Sequence, residues 1–531
     1  MERSGTTDTS SSTGLVATLR TPGVILGMVA MLIIGIAVMT PGFVPNRGLD
    51  QIGALKFLRS VLTREVGRIV MAVGLVLLLW AWVKLRPGVH GRLNHGLILA
   101  LWSLPVLIAP PIFSSDAFLY ADQGWIISQG LDPYQVGLTD AGGPFAANVH
   151  PAWQHTTAVY PPAALLVQYL VTEVTGYRGL ISVVAMRIPA LLAVVVIALG
   201  VPRLARALKA DVETAKWFAV INPLLLLHFV GGMHNDAWMV ALVVVAAISA
   251  LRFGIGGMRA GAVLVGIGAA FNPPGLAAAI AIGLLPVAAR LKDLTLGKRL
   301  ATMIVYCGSA LIIAAGTFVV VSLAIGYEFL GWMKATGIHE TTWGMSPSSM
   351  VEQIIGPLAR EVGIDRPLLP MLSTFTTLLS LVVGALIAWR YFFADRIAAR
   401  PLRLRSVRRI PGGEAPKTDR SWRDHPLRWL AWSFTALGFG GAGFHVWYML
   451  WGGIYLGMLR YGNRMFRALI AAIIALIVME AGLEYYSLRP IPGILFGSAL
   501  GWIFFVNSSA LQIVADAEHE DAHETKGVMA A

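Results

Sequence analysis

Long, uninterrupted apolar runs recur along almost the whole chain and constrain its fold more than any other feature. Examples are the runs at 23–39, 180–204 and 301–325. With 56% hydrophobic and only 13% charged residues, a chain of this kind cannot hide its apolar side chains in a soluble core, so their outer faces need lipid. Helices satisfy their backbone hydrogen bonds within one segment, as lipid demands. We therefore predict an all-α polytopic membrane protein.

The basic residues indicate topology. The net charge is +12, but the Lys and Arg side chains form short clusters between the apolar runs instead of covering one domain. This is the positive-inside pattern, in which basic clusters mark cytoplasmic turns and contact anionic membrane lipid. Nucleic acid is therefore not an expected partner.

Two features argue against metal or disulfide chemistry. The single cysteine, Cys307, permits no intramolecular disulfide and no thiolate zinc site. The acidic residues form no Asp-x-Asp pair, so no metal ion and no other cofactor is expected.

The first half of the chain is predicted from these signals. Residues 1–20 are rich in Ser and Thr and are expected to be a disordered cytoplasmic tail, and 21–112 hold the first transmembrane helices. Two apolar runs, 160–174 and 180–204, follow before the next basic turn, yet an odd number of crossings is required there. The first is short and begins Tyr160-Pro161-Pro162. We predict that 113–178 is an outer catalytic loop that includes a re-entrant or interfacial helix.

The second half alternates more regularly. Residues 179–325 are expected to be central transmembrane helices, with a broken hairpin around Asn272-Pro273-Pro274, followed by a second outer loop at 326–366. A transmembrane helix at 367–389, a basic cytoplasmic loop at 390–427, C-terminal transmembrane helices at 428–514 and an acidic cytoplasmic tail at 515–531 complete the prediction. The total is about 13–14 crossings.

Every polar cluster of interest falls on the outer side of this topology, which suggests a functional surface there. Asp116 follows an apolar run directly, in Ser114-Ser115-Asp116. It is either a general base at the membrane interface or the N-cap of the next helix. Asp122 is either a solvated helix residue or a second carboxylate of the site.

Two further clusters leave alternatives open. His234, Asn235 and Asp236 either bind sugar or phosphate or cap a helix. Trp447, Tyr448 and Trp451 suit an aromatic belt at the membrane interface, but a belt does not explain His445, which could donate a hydrogen bond to a lipid phosphate.

These motifs together resemble a known family. The segment 115–124, SDAFLYADQG, with Gly130-Leu131-Asp132-Pro133-Tyr134, resembles the first outer loop of the actinobacterial polyprenol-phosphate-mannose-dependent α-1,6-mannosyltransferases of lipomannan and lipoarabinomannan synthesis. His234-Asn235-Asp236, Ser346-Pro347-Ser348 and the segment 445–451, HVWYMLW, follow in the order of that family's other signatures.

The resemblance implies a GT-C fold and an inverting transferase in the cytoplasmic membrane that works on its outer, periplasmic side. The implied donor is polyprenyl-phosphate mannose, and the implied acceptor is the 6-hydroxyl of a mannan lipoglycan. Asp116 would be the catalytic base. The implied substrate-binding residues are Asp122, Tyr134, His234, Asn235, Asp236, Ser346, His445, Trp447, Tyr448 and Trp451.

One position departs from related folds, in which the hairpin tip often carries a Lys where Asn272 stands here. Arg489 or a histidine would then have to neutralise the donor phosphate. Two alternatives stay open: a transporter or flippase of lipid-linked sugars, and a transferase that uses another polyprenyl-phosphate sugar such as arabinose. A transporter should place ionisable residues near the bilayer midplane, whereas the spans here are nearly free of charge, with Arg187 and Glu480 as the main exceptions. This favours chemistry at the outer surface.

Overall fold

The computed structural model describes residues 9–40, 61, 63–328, 330–335, 345–363, 369–393, 422, 424–441, 443–484 and 489–513. These residues form α-helices joined by short 3₁₀ and π turns, and no β-strand occurs among them. The helices of the first half are α1 Thr9–Arg20, α2 Pro22–Val38, α3 Arg64–Lys84, α4 His95–Ser103, α5 Asp116–Ser128, α6 Pro162–Val174, α7 Gly179–Ala185, α8 Arg187–Ala207 and α9 Val212–Ala219. Those of the second half are α10 Asp236–Ala269, α11 Ala278–Leu284, α12 Ala288–Leu291, α13 Leu296–Ile325, α14 Pro347–Glu361, α15 Leu369–Phe392, α16 His425–Gly440, α17 Met449–Leu456, α18 Asn463–Glu484 and α19 Pro490–Asn507.

Local sequence explains where several helices begin and end. The side chain of Asn94 accepts a hydrogen bond from the Leu97 backbone N–H at 3.0 Å and caps α4, and Asp211 caps α9 in the same way. Such side chains satisfy backbone donors that have no partner inside the helix. Gly326 ends α13 with a φ of 90°, a left-handed conformation that glycine adopts without steric cost.

The prediction of an all-α polytopic membrane protein is confirmed. In the described part of the chain, seven helical segments are long and apolar enough to cross a membrane. They are α3, the continuous pair α7 and α8, α10, α13, α15, α18 and α19. The predicted total of 13–14 crossings exceeds this number because other apolar runs form shorter helices, such as α2, α4, α6 and α16.

The helix α10 is in fact two helices joined at Gly254, whose φ of 58° breaks the helical geometry. The second half folds back on the first, so that a Cβ at Gly261 would lie 2.9 Å from the Ala246 carbonyl oxygen. The chain then turns at Asn272 into α11. At this turn the Asn272 amide donates to Oδ1 of Asp236 at 2.7 Å, so the turn lies beside the start of α10.

The termini and loops depart from expectation in one respect. Residues 9–20 belong to α1, whereas the sequence analysis assigned them to a disordered tail. The Thr18 hydroxyl accepts a hydrogen bond from the Asn94 backbone N–H at 3.0 Å, so the helix is anchored on the start of α4. The expectations for residues 1–8, for most of the basic loop at 390–427 and for the tail at 515–531 lie outside the described residues.

A buried arginine fixes the end of the bundle that carries Asp116. The Arg187 side chain is 1% exposed and donates to the carbonyls of Leu107 at 2.7 Å and Val230 at 2.9 Å. It reaches the Gly231 carbonyl at 3.2 Å as well. A buried guanidinium is costly unless its donors are paired, and here the partners are carbonyls of two segments. Arg187 thereby holds together the segment that leads to Asp116 and the segment that leads to His234.

Candidate active site

Asp116 and His234 form the centre of the site. The Oδ2 atom of Asp116 lies 3.2 Å from Nδ1 of His234, and the two side chains are 18% and 0% exposed. Asp116 is the first residue of α5, and its own backbone N–H is satisfied by the Ser114 hydroxyl at 3.0 Å. The carboxylate therefore faces His234 and does not cap the helix, the alternative that the sequence had left open.

The surroundings of Asp116 keep it ionised. Burial by itself raises the pKa of this carboxyl, but the contact with His234, the electrostatic effect of the His234 and His445 rings, and the Ser114 hydroxyl together outweigh burial. The pKa of Asp116 consequently lies below its ordinary value. At neutral pH the side chain is a carboxylate that can accept a proton.

Trp447 provides the surface on which both histidines stack. Its ring centroid lies 3.7 Å from that of His234 and 4.3 Å from that of His445, with interplanar angles of 15° and 17°. Burial lowers the pKa of His445 to about 4, although the nearby Asp116 carboxylate opposes this. His445 is therefore a neutral imidazole at pH 7, with one nitrogen that donates and one that accepts.

Asp236 connects three elements beside this stack. Its Oδ1 atom accepts hydrogen bonds from Nε1 of Trp451 and from Nδ2 of Asn272, both at 2.7 Å. Asp236 is 3% exposed, so these donors offset much of the cost of burying a carboxylate. The hairpin tip, the start of α10 and α17 are thereby held together next to His234.

Tyrosines form another wall of the site. The rings of Tyr120 and Tyr160 meet edge to face with centroids 5.4 Å apart, and Tyr448 stacks on Trp451 at 4.3 Å. Burial raises the pKa of both Tyr120 and Tyr160, and the charge on Asp116 adds to this. Their hydroxyls stay protonated, so they can donate hydrogen bonds to a polar substrate.

Comparison with known proteins finds a family whose match includes much of the cluster around Asp116. The family described as "Alpha-(1->6)-mannopyranosyltransferase, N-terminal domain" matches residues 24–288, about half of the chain. The chain belongs to this mannopyranosyltransferase family. The matched part includes Asp116, His234, Asp236 and Asn272 and ends before the segment that holds His445.

Three relatives carry names in agreement with this family. The chain is 29% identical to alpha-(1->6)-mannopyranosyltransferase A of Mycobacterium tuberculosis over an alignment of 336 residues. This alignment covers 61% of this chain and 63% of the relative. It is 32% identical over 225 residues to the protein of the same name in Corynebacterium glutamicum, which covers 40% and 46%. It is 28% identical over 367 residues to a probable alpha-(1->6)-mannopyranosyltransferase of Mycolicibacterium smegmatis, which covers 62% and 64%. The matches therefore span less than two thirds of each relative's length, and no solved structure matches the chain.

Seven of the residues expected from the mannopyranosyltransferase resemblance make contacts within this cluster, and an eighth, Asn235, lies next to two of them in the chain. Asn235 lies between His234 and Asp236, and neither atom of its amide has a hydrogen-bond partner among the described residues. It does not cap α10 with its side chain, so the amide is available to a ligand. The seven are Asp116, His234, Asp236, His445, Trp447, Tyr448 and Trp451.

Asp122 is not part of this cluster. Its side chain is 0% exposed, and its Oδ1 atom accepts a hydrogen bond from the Phe145 backbone N–H at 2.9 Å. Burial raises the pKa of Asp122 to about 7. The carboxyl group holds the loop around Phe145 against α5, which is a role that the sequence analysis did not consider.

Tyr134 and Ser346 make other contacts. The Tyr134 hydroxyl donates to the Tyr160 carbonyl at 2.8 Å and so fixes the loop before α6. Ser346 caps α14 by accepting from the Ser349 backbone N–H at 3.1 Å. Its hydroxyl also lies 2.9 Å from that of Ser348.

Sequence reasoning missed several members of the site. Tyr120 and Tyr160 were seen only as parts of longer motifs, and Asn272 was considered only as the tip of a broken hairpin, where related folds often carry a lysine. Two residues behind the site were also missed: His228 was not considered, and Glu480, which contacts it, was noted only as an exceptional charge. The last two carried a usable signal, since ionisable residues within apolar runs are rare and mark functional regions.

Proposed function

We propose that this protein is an inverting α-1,6-mannosyltransferase. It moves mannose from polyprenyl-phosphate mannose to the 6-hydroxyl of an α-1,6-mannan lipoglycan. The proposal assigns the site to the outer face of the cytoplasmic membrane. The basic clusters mark the cytoplasmic side in the predicted topology, and the site residues lie on the opposite side.

The contact between Asp116 and His234 carries the proposal. A general base must be ionised, partly accessible and held in a fixed direction. Asp116 is 18% exposed beside a fully buried His234, and its pKa lies below the ordinary value. It therefore accepts a proton without first having to lose one.

The chemistry requires one base. The acceptor oxygen attacks the anomeric carbon of the mannose while the bond from that carbon to the phosphate oxygen breaks. The hydroxyl proton passes to Asp116, and the bonding electrons leave with the polyprenyl phosphate. A single in-line displacement converts a β-linked donor into an α-linked product.

We assign the leaving phosphate to the space beside neutral hydrogen-bond donors of the cluster. His445, Asn235 and the hydroxyls of Tyr120 and Tyr160 can each donate a hydrogen bond, and such preorganised donors stabilise developing negative charge. The indole of Trp451 and the ring of Tyr448 offer flat surfaces on which sugar rings pack. Asn272 takes no part in phosphate binding in this proposal, because its amide donates to Asp236.

The test is turnover by purified protein. Wild type, Asp116→Asn and Asp140→Asn are incubated with polyprenyl-phosphate mannose and a short α-1,6-mannoside, and the extended product is measured. Asp140 is the matched control because it is a carboxylate of the same loop, 60% exposed and paired with His155. We expect Asp116→Asn to lower kcat by about 10²- to 10⁴-fold and Asp140→Asn to leave it unchanged.

Three other outcomes would contradict the proposal in distinct ways. Turnover by a folded Asp116→Asn variant at the wild-type rate would remove Asp116 as the base. Product formed only from polyprenyl-phosphate arabinose would change the donor sugar. Movement of intact polyprenyl-phosphate mannose across a vesicle membrane, without product, would indicate a flippase.

A further inference from the structure

A carboxylate and an imidazole are paired directly behind the site. The Oε2 atom of Glu480 in α18 lies 2.8 Å from Nε2 of His228, and the two side chains are 1% and 0% exposed. His228 lies in the π-helical turn Leu225–Gly231, just before His234. The pair joins α18, which contributes no residue to the cluster described above, to the segment that carries that cluster.

Such a pair needs an explanation beyond packing. Burying ionisable groups is unfavourable, and a well-packed apolar pair of similar size is often at least as stable. Ionisable residues inside membrane segments most often serve function. A His–Glu pair at this place therefore suggests a role in the chemistry next to it.

The His228 ring touches the residues that orient the base. Its centroid lies 5.9 Å from that of Phe113, 5.8 Å from that of His234 and 5.7 Å from that of Trp447. Phe113 has a φ of 59°, a strained conformation for a residue with a side chain. It leads directly into Ser114, Ser115 and Asp116.

We propose that His228 and Glu480 are positioning residues for Asp116 in the transferase reaction. Glu480 contacts Nε2 of His228 and restricts the movement of its ring. That ring in turn holds Phe113, which begins the turn into Asp116, and it borders the Trp447 and His234 rings that face the carboxylate. The inference rests on the proposed function, and neither residue is expected to touch substrate.

The pair can be dissected with a double-mutant cycle. Glu480→Leu removes the carboxylate, and His228→Phe keeps an aromatic ring while it removes both nitrogens. We expect each single variant to lower kcat by about 10- to 100-fold, with the donor KM little changed, because a small displacement of a catalytic group has effects of this size. The kcat of the double variant should be no lower than that of the less active single variant, because both changes remove the same interaction. Glu480→Gln keeps a hydrogen-bonding group and should restore most of the activity.

The chain offers a matched control pair. His95, at the start of α4, is buried, and its Nδ1 atom lies 3.6 Å from Oε2 of Glu213 in α9, whose side chain is 32% exposed. Asp116 follows the other end of the segment that α4 begins. His95→Phe and Glu213→Leu should leave kcat unchanged.

A second measurement does not depend on the donor. Backbone hydrogen exchange in the substrate-free protein should become faster at 113–118 and 232–236 in Glu480→Leu and should stay the same in Glu213→Leu. If wild type shows no mannose transfer, the proposed function fails, and the exchange pattern still decides whether the pair positions Asp116.

Two results would overturn the proposal. In one, folded Glu480→Leu and His228→Phe variants have wild-type kcat and unchanged exchange at 113–118. In the other, activity falls only in proportion to the amount of folded protein, and exchange increases evenly along the chain. The second result would assign the pair to the packing of α18.

Discussion

Replacing Asp122 by Asn should stabilise the protein at high pH and have little effect at low pH. Burial raises the pKa of Asp122 from 3.8 to about 7. Between these values the folded chain keeps a proton on Asp122 that the unfolded chain has lost, so the free energy of unfolding falls as the pH rises from about 4 to about 7. The difference of about 3 pH units corresponds to about 4 kcal/mol at full ionisation, at about 1.4 kcal/mol per unit.

Asn at this position keeps a hydrogen-bond acceptor for the Phe145 backbone N–H and cannot ionise. Its carbonyl oxygen can still accept the Phe145 backbone N–H, which Oδ1 of Asp122 accepts at 2.9 Å. The Oδ2 atom, which the amide nitrogen would replace, has no hydrogen-bond partner within the described structure. The variant therefore avoids the cost of a buried charge without losing that contact.

The assay is the thermal unfolding midpoint in detergent, measured for wild type and Asp122→Asn across this pH range. We expect equal Tm values near about pH 4 and a higher Tm for the variant near about pH 8. A variant that is no more stable than wild type at high pH, or a Tm difference independent of pH, would refute the reasoning. Loss of transferase activity in a stable variant would instead return Asp122 to the list of substrate-binding residues.

Three more predictions follow from the site. Trp451→Phe should lower the free energy of unfolding by about 1–3 kcal/mol, because Asp236 loses one of its two donors; denaturant titration measures this, and a loss confined to kcat would contradict it. Gly143→Ala should destabilise the protein by about 1–3 kcal/mol, because the new Cβ would lie 2.1 Å from Oδ2 of Asp122; an unchanged Tm would show that the loop moves freely. The kcat of the wild type should stay level as the pH falls from about 7 to about 5, because Asp116 must be ionised and its pKa lies below the ordinary value; a fall with a midpoint near pH 6.5 would point to a histidine as the base instead.

Periodicity and charge predicted the class of the fold because lipid restricts the possible structures to helices. The chain turn at Asn272 was visible in the sequence, since Asn272-Pro273-Pro274 interrupts an apolar run too short for two full spans. The helical nature of residues 9–20 was not, because their Ser and Thr residues suit a disordered tail equally well. Only the contact of Thr18 with the start of α4 distinguishes the two.

The site was predictable where several polar residues stand close together in the sequence. Asp116, His234, Asp236 and His445 were each visible as polar residues at the ends of apolar runs. What could not be predicted is which of them meet, because that depends on how distant helices pack. Asp122 shows the limit, since the carboxyl group six residues after Asp116 does not join the cluster and is buried against a loop that the sequence alone cannot place.

The hydrogen bond from Trp451 to Asp236 has a consequence for how the protein is made. The two residues are 215 positions apart, and synthesis proceeds from the N-terminus. Asp236 therefore enters the membrane region long before its indole partner exists, and until then one of its two donors is missing. Assembly of the site has to wait for the insertion of α17, so a chain arrested before that helix carries the proposed base but not the geometry that would make it useful.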